Sequence, residues 1–126
     1  GNPVAAVAGL ATLQQLQQDG TYRQLFSLGH GLRQELSALL KQYGIPGQVV
    51  GEDPLFDVVF TDEPINDYRG VLTQNRELLR RFNRELLARG ILKGSSKMYM
   101  SVAHTSTDVE QTLAAVRASL EVMAKA

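Results

Sequence analysis

The chain has 126 residues, the length of a single domain, and 44% of them are hydrophobic, which predicts a packed core rather than disorder. The charges of its 13 basic and 13 acidic residues cancel, and the net charge of zero argues against nucleic acid or an anionic membrane as the main partner. The absence of Cys excludes disulfides and thiolate chemistry, and the two His residues, far apart in the sequence, predict no metal site.

The sequence contains no apolar run near the roughly 18 residues that a membrane-spanning helix needs. It also shows no basic stretch followed by an apolar segment at its start, the pattern of a secretion signal. We therefore expect a cytoplasmic protein.

A first helix is predicted from Pro3 to about Gln18, because Asn2 is a good helix cap and Pro3 suits the first helical position. Residues 4–11 are apolar on every side of this helix. Helices of that kind are normally surrounded by protein. We therefore expect residues 1–19 to form a linker helix that packs against something outside this chain, and residues 20–126 to form the domain itself.

A second helix is predicted to begin at a capping box formed by Thr21 and Gln24 and to end at Gly44. The run Gly29-His30-Gly31 lies inside it. Two glycines within a helix cost roughly 1 kcal/mol each relative to Ala, so this run predicts close packing or a kink.

The rest of the chain alternates short strands with helices. Two strands joined by a hairpin turn at residues 51–54 precede a third helix that ends at Gly90, two further strands follow, and Thr105 with Asp108 caps a last helix. The predicted ranges are 48–50 and 55–60 for the first strands, 66–90 for the helix, and 91–93 and 98–103 for the last strands. This order predicts an α+β fold, a small antiparallel sheet with helices packed mainly on one face.

Charge is divided unevenly along the chain. Residues 52–67 hold six acids and no base, and residues 68–90 hold six arginines against two acids. The arginines indicate either an anion site or a solvated helix face. We favour the solvated face, because Glu77 with Arg81 and Glu85 with Arg89 are spaced for pairing along a helix.

The sequence contains few motifs that indicate catalysis or ligand binding. His104 is a candidate general base, but no nucleophile or orienting group is spaced to accompany it, and we favour a structural His bonded to nearby backbone. Lys93 and Lys97 flank a loop and are candidate anion ligands. Exposed loop lysines usually bind nothing, and we favour that interpretation.

Several segments together resemble one family. Residues 1–13, with the pattern GNPVAxxAGLATL, resemble the Gly-Asn-Pro segment of class III pyridoxal-phosphate aminotransferases, most closely the branch that contains glutamate-1-semialdehyde aminomutase. Three later segments are similar to the family's strand, helix and closing strand and helix, in order and at similar spacing: LFDVVFT at 55–61, DYR at 67–69 with FxxxLLxxGI at 82–91, and SVAHTxxDVxxTL at 101–113.

The resemblance implies that this chain is the C-terminal small domain of a fold-type I enzyme, a fragment that is inactive alone. Family members hold pyridoxal phosphate as a Schiff base on a lysine of the large domain, and no lysine here matches that position. We therefore expect no catalytic residue and no bound cofactor in this chain. Gly1, Asn2 and Pro3 are implied to lie at the edge of the cofactor site. The implied partners are the large domain of the same enzyme and a second subunit of a homodimer.

One departure bears on the reaction. The aminomutase branch normally has a Glu in the loop before the last strand, whereas residues 91–104, ILKGSSKMYMSVAH, contain no acid. This favours an ordinary aminotransferase, with the aminomutase reaction as the alternative. Lys97 and Tyr99 lie near that location and are candidates to face a substrate carboxylate. A free-standing α+β interaction module that dimerises through its first helix is the alternative from another functional class.

Overall fold

The computed structural model describes residues 1–125, which form five helices and one three-stranded sheet. In chain order the elements are α1 (Pro3–Leu16), α2 (Thr21–Gln42), β1 (Gln48–Glu52), β2 (Leu55–Val59), α3 (Tyr68–Leu72), α4 (Arg76–Ala88), β3 (Lys97–Tyr99) and α5 (Ser106–Ala124). No helix within these residues combines the length and the hydropathy needed to cross a membrane.

The sheet is antiparallel, with β2 between β1 and β3. Phe56 and Val58 of β2 and Met98 of β3 are buried on one face, where they join a core with α2, α4 and α5. On the opposite face Asp57 stands between Val50 and Lys97 in the strand register. The predicted α+β architecture, with helices mainly on one face, is therefore confirmed.

Two helices end as the sequence predicts, at glycines with positive φ. The N–H of Gly44 donates to the Lys41 carbonyl and the N–H of Ile45 to the Leu40 carbonyl, and Gly90 and Ile91 repeat the pattern at the end of α4. This is the Schellman motif, in which a left-handed residue lets the chain turn back onto the last helical turn. The apolar residue after each glycine then packs on the core.

The single third helix predicted over residues 66–90 is wrong, since the structure divides it into α3 and α4. Side chains of the intervening segment compete with the helical backbone for hydrogen bonds. Gln74 donates to the Val58 carbonyl at 3.2 Å, and the N–H of Asn75 donates to the Phe60 carbonyl at 2.8 Å. Asn75 then caps α4 through its side chain. The break therefore ties both helices to the end of β2.

The strand predicted at residues 91–93 is also wrong. The N–H of Ile91 is bonded back to α4, and the Lys93 side chain holds the turn that follows, so this segment adds no fourth strand. The last strand, predicted over 98–103, is shorter than expected. The chain leaves the sheet after Tyr99, where the N–H of Met100 donates to the Pro54 carbonyl at 2.8 Å.

The start of α2 differs from prediction by one residue. Gly20, with φ of 85°, occupies the cap position without a side-chain bond, and the hydroxyl of Thr21 donates to the Gln15 carbonyl instead. The capping box of Thr21 with Gln24 is therefore wrong. The box at the start of α5 is confirmed, because Thr105 and Asp108 exchange hydrogen bonds.

The first helix contributes nothing to the core. Asn2 caps it and Pro3 begins it, as predicted, but it ends at Leu16 and none of its residues is buried. Val4 is 77% exposed and Val7 is 67% exposed. Residues 21–125 leave the apolar half of α1 uncovered.

Candidate functional site

A cleft of about 350 Å³ lies between the segment after α4 and the start of α5. It is bordered on one side by residues 90–94 and on the other by residues 108–112. Its basic side chains are those of Lys93, Lys97 and His104, and apolar groups of Leu32 and Ile91 line it as well. A cleft with a few convergent polar groups is where a small ligand normally binds.

Lys93 reaches this cleft from a tight turn. Its Nζ donates to the carbonyl oxygens of Gly94 at 3.0 Å and of Ser96 at 2.6 Å. Burial lowers the pKa of the Lys93 ammonium, and the nearby Asp57 carboxylate acts in the opposite direction. The ammonium therefore stabilises its own turn. The prediction that Lys93 is an exposed loop lysine is wrong.

Lys97 and Tyr99, the residues predicted on the substrate side, lie on β3 and both line the cleft. Lys97 is paired in register with Asp57, and Tyr99 with Leu55. Both side chains are exposed, and Tyr99 is 64% so. The structure thus brings these two residues together with Lys93 and His104.

His104 has a fixed hydrogen-bonding role. Its Nδ1 accepts a hydrogen bond from the backbone N–H of Ser101 at 3.1 Å, and the backbone N–H of His104 donates to the Ser101 carbonyl at 3.0 Å. An Nδ1 that accepts a hydrogen bond places the proton of the neutral ring on Nε2. This confirms the structural interpretation of His104. The ring closes the turn that leads into α5.

Gly1, Asn2 and Pro3 lie apart from these residues and are not among those that line the cleft. Asn2 Oδ1 accepts the N–H of Val4 at 3.0 Å, and all three residues are exposed. The other end of α1 comes closer. A second, more open depression is lined by Ala11, Thr12, Gln15 and Leu16 together with residues 100–102. Met100 borders both hollows and therefore connects them.

Two of the charged side chains that line the cleft already have hydrogen-bond partners within the chain. In the cleft, Lys93 is committed to its own turn, and Asp108 accepts the N–H and the hydroxyl of Thr105. Within residues 1–125 no group of three or more His, Asp or Glu is placed to hold a metal ion.

Asp57 has an unusual environment that the sequence analysis does not predict. Asp57 lies inside a strand, where Asp is disfavoured, and its Oδ1 is buried without a hydrogen-bond partner in residues 1–125. The available signal was a carboxylate within an otherwise apolar strand.

The arginine-rich segment behaves largely as a solvated helix face. Arg89 pairs with Glu85 at 2.7 Å, as predicted. Arg81 donates instead to the Val122 carbonyl at 2.9 Å, near the end of α5, so the pair predicted for it with Glu77 is wrong. A guanidinium at a helix C-terminus donates hydrogen bonds to carbonyls that have no partner within the helix, and its positive charge interacts favourably with the helix dipole.

No family model matches the chain. Curated relatives do match over nearly all of it: it is 37% identical to the glutamate-1-semialdehyde 2,1-aminomutase of Methanopyrus kandleri over 96% of the chain, and 41% identical to that of Thermus thermophilus over 95%. In both comparisons the chain spans only 29% of the relative's length.

Solved structures give the same answer for the fold. An ω-transaminase from Sphaerobacter thermophilus superposes with a TM-score of 0.89 at 30% identity, over 100% of this chain and 29% of the other. A glutamate-1-semialdehyde aminomutase from Pseudomonas aeruginosa superposes with a TM-score of 0.77 at 23% identity, over 88% and 25% respectively. In sequence and in fold, the chain is therefore similar to the C-terminal part of the class III pyridoxal-phosphate aminotransferases, the group that contains glutamate-1-semialdehyde aminomutase.

Proposed function

We propose that the chain works as the C-terminal part of a pyridoxal-phosphate enzyme that transfers an amino group between an amine or amino acid and a keto or aldehyde acceptor. The supporting observation is the agreement with a transaminase over the whole chain, at a TM-score of 0.89. When bound, the cofactor supplies the electron sink for this chemistry. The large domain of the same enzyme supplies the Schiff-base lysine, so the chain alone is inactive.

The contribution of this chain is the wall of the site on the substrate side. Lys97 carries a positive charge at the mouth of the cleft and Tyr99 an exposed phenol beside it. An exposed ammonium suits a substrate carboxylate, and a phenol can donate a hydrogen bond to it. Gly1, Asn2 and Pro3 lie at the edge of the cofactor site in this proposal.

The first helix provides the connection to the rest of the enzyme. Residues 1–19 pack against the large domain and bury the apolar half of α1 that residues 21–125 leave exposed. The depression bordered by Leu16, Leu25 and Val102 continues this apolar surface. In the homodimer the same region lies close to the second subunit.

Aminomutase activity is the second candidate, because the curated relatives quoted above are aminomutases. The loop argues for the transaminase, since residues 91–104 contain no acid. A free-standing interaction module remains the candidate from another class. It is favoured only if the reading frame proves to start at the first helix.

The test is an assay of the complete polypeptide encoded in the reading frame that contains residues 1–126. We expect its bound cofactor to be converted to the amine form by an amino acid and restored by a keto or aldehyde acid. Conversion of glutamate-1-semialdehyde without an external acceptor would establish the aminomutase instead. Absence of any half-reaction with a panel of amines and amino acids would contradict the proposal.

A further inference from the structure

The turn before β3 is held by side chains that bind three consecutive carbonyl groups. The ammonium of Lys93 donates to the carbonyl oxygens of Gly94 at 3.0 Å and of Ser96 at 2.6 Å. The carbonyl between them, that of Ser95, accepts a hydrogen bond from Asn83 Nδ2 at 3.0 Å. Lys93 belongs to the turn itself, whereas Asn83 lies on α4. The Asn83 amide therefore ties the turn to a helix.

The turn leads directly into the part of the chain that faces the cleft. Lys97 follows Ser96 and begins β3, and both Gly94 and Lys97 line the cleft. The backbone of Gly94 also lies close to the Lys97 carbonyl, since a Cβ atom at residue 94 would meet that oxygen at 3.2 Å. Asn83 is not among the residues that line the cleft. It therefore acts on a ligand there through the turn and not by direct contact.

Stability alone does not account for an asparagine at position 83. Asn is a poorer helix former than Leu, and residue 83 lies inside α4. The Oδ1 atom of Asn83 is buried and accepts no hydrogen bond from residues 1–125, and such a group lowers the stability of a fold. Its partner Ser95 is exposed, so water can solvate the Ser95 carbonyl without Asn83. Residues that break local rules in this way are expected where a site needs a defined geometry.

We propose that Asn83 is a positioning residue, whose amide anchors the Ser95 carbonyl to α4 and thereby fixes the direction in which Lys97 leaves the turn toward the mouth of the cleft. A lysine side chain is long and flexible, so the place of its ammonium depends on how firmly its backbone is held. Side chains that bind a ligand are most effective when neighbouring groups hold them in place. This inference rests on the proposed function for the role of Lys97 but not for the contact between Asn83 and Ser95.

Trypsin tests the contact in the 126-residue chain, because the turn is bounded by two of its cleavage sites, Lys93 and Lys97. Asn83→Leu keeps the branched shape of the side chain but cannot donate a hydrogen bond. In this variant the initial rate of cleavage after Lys97 should rise roughly three- to tenfold, the effect of one lost hydrogen bond on local opening. Cleavage after Lys41, on α2, should not change. The urea midpoint should stay level or rise, since an unpaired buried oxygen is removed.

Asn66→Leu is the matched control, since it makes the same exchange at an exposed position outside the turn and should alter neither cleavage rate. Should Asn83→Leu fail to fold, Asn83→Ala also removes the donor and favours the helix, and it should raise cleavage after Lys97 in the same way. An unchanged rate at Lys97 would overturn the proposal. Equal increases at Lys97 and Lys41 would overturn it as well, because they would mean a general loss of stability and not a loosened turn.

The complete enzyme separates this inference from the proposed function. Asn83→Leu should raise the KM for substrates that carry a carboxylate several-fold while kcat changes less, because substrate binding and not the reacting centre is disturbed. The KM for an amine without a carboxylate should stay the same. An enzyme without any amino-transfer activity would contradict the proposed function and leave the trypsin result standing. An active enzyme with unchanged KM for carboxylate substrates in Asn83→Leu would contradict the link from Asn83 to Lys97.

Discussion

The backbone of Gly29 lies directly against the carbonyl group of Asp53, with no room between them for a Cβ atom. This contact docks the β1–β2 turn onto α2. The Asp53 carboxylate strengthens the docking, because it accepts Arg33 Nη1 at 2.7 Å and lies 3.4 Å from His30 Nδ1. The sequence-based expectation of close packing at this Gly-His-Gly run is confirmed for its first glycine.

We predict that Gly29→Ala destabilises the fold by about 1–3 kcal/mol, the usual cost of forcing a group into a packed site. Gly31→Ala is the matched control, since a Cβ there meets nothing within 4 Å. It should stabilise the fold by about 0.4–1 kcal/mol, because Ala suits a helix better than Gly. Urea unfolding measures both changes. Equal effects of the two variants would show that the turn is not docked at Gly29.

A second prediction concerns the core. Phe82 is fully buried on α4, and its ring meets that of Phe60 edge to face, with 5.4 Å between centroids. Phe82→Ala should reduce the free energy of unfolding by about 3–5 kcal/mol. Leu87→Ala, an exposed position on the same helix, should change it by less than about 0.5 kcal/mol. A loss below about 1 kcal/mol in Phe82→Ala would mean that α4 presents a different face to the sheet.

The sequence predicts the elements of this fold better than their connections. Helix ends at Gly44 and Gly90 and the box at Thr105 depend on neighbouring residues alone, so local patterns suffice for them. The core stripe of α4 follows from helical periodicity in the same way. The apolar residues at helical spacing on α4 and α5 are not all buried equally: Phe82 and Val116 are fully buried, and Leu113 is only partly buried.

The wrong prediction of one continuous third helix involves long-range hydrogen bonds. The helix break before α4 depends on bonds from Gln74 and Asn75 to the end of β2, about 15 residues away in sequence. The turn at Lys93 depends on hydrogen bonds from its Nζ to the carbonyls of Gly94 and Ser96. Periodicity carries no information about such contacts. The sequence could therefore name Lys97 and Tyr99, which line the cleft, but it could not predict the hydrogen bonds of Lys93.

A third prediction concerns the stability of the fold at acidic pH. Hydrogen bonds from the N–H and hydroxyl of Thr105 hold the pKa of the Asp108 carboxyl below its ordinary value of 3.8. A carboxylate whose pKa is lowered in the folded state stabilises the fold above its unfolded pKa, and that stabilisation is lost as the pH falls through the folded value. Asp108→Ala should therefore unfold at lower urea than the wild type at pH 7.

The difference in urea midpoint between Asp108→Ala and the wild type should shrink below about pH 4, where protonation of the wild-type carboxyl begins to favour the unfolded state. Glu110→Gln, a neighbouring exposed acid on α5, is the control and should show no comparable pattern. A difference that stays constant from pH 7 into acid would show that Asp108 contributes by packing and not by its charge.

A fourth prediction concerns the cofactor. Pyridoxal phosphate added to the 126-residue chain should give no saturable, stoichiometric absorbance band from a lysine adduct. The reason is that Lys93, the more buried of the two lysines that line the cleft, is engaged with the carbonyls of Gly94 and Ser96. Lys93→Met should give the same titration as the wild type. A band that survives dialysis and disappears in that variant would mean that this chain holds the cofactor itself.

The last prediction concerns the first helix. In the isolated chain, Val7 and Leu10 are exposed by 67% and 57%, and the neighbouring positions are apolar as well. Apolar surface left in water forfeits roughly 25 cal/mol per Å². Contiguous patches of that kind mark sites of association. We therefore expect the isolated chain to self-associate through residues 3–13, and sedimentation velocity over a range of concentrations measures it.

Val7→Glu with Leu10→Glu should make the chain monomeric, because charged side chains cannot be buried in the contact without a partner. Neither residue belongs to the core, so the urea midpoint should hardly change. The control is Gln14→Glu with Gln15→Glu, which adds the same charge to polar, exposed positions of α1 and should leave self-association in place. A wild-type chain that sediments as a monomer at all concentrations would contradict the assignment of α1 as a packing surface.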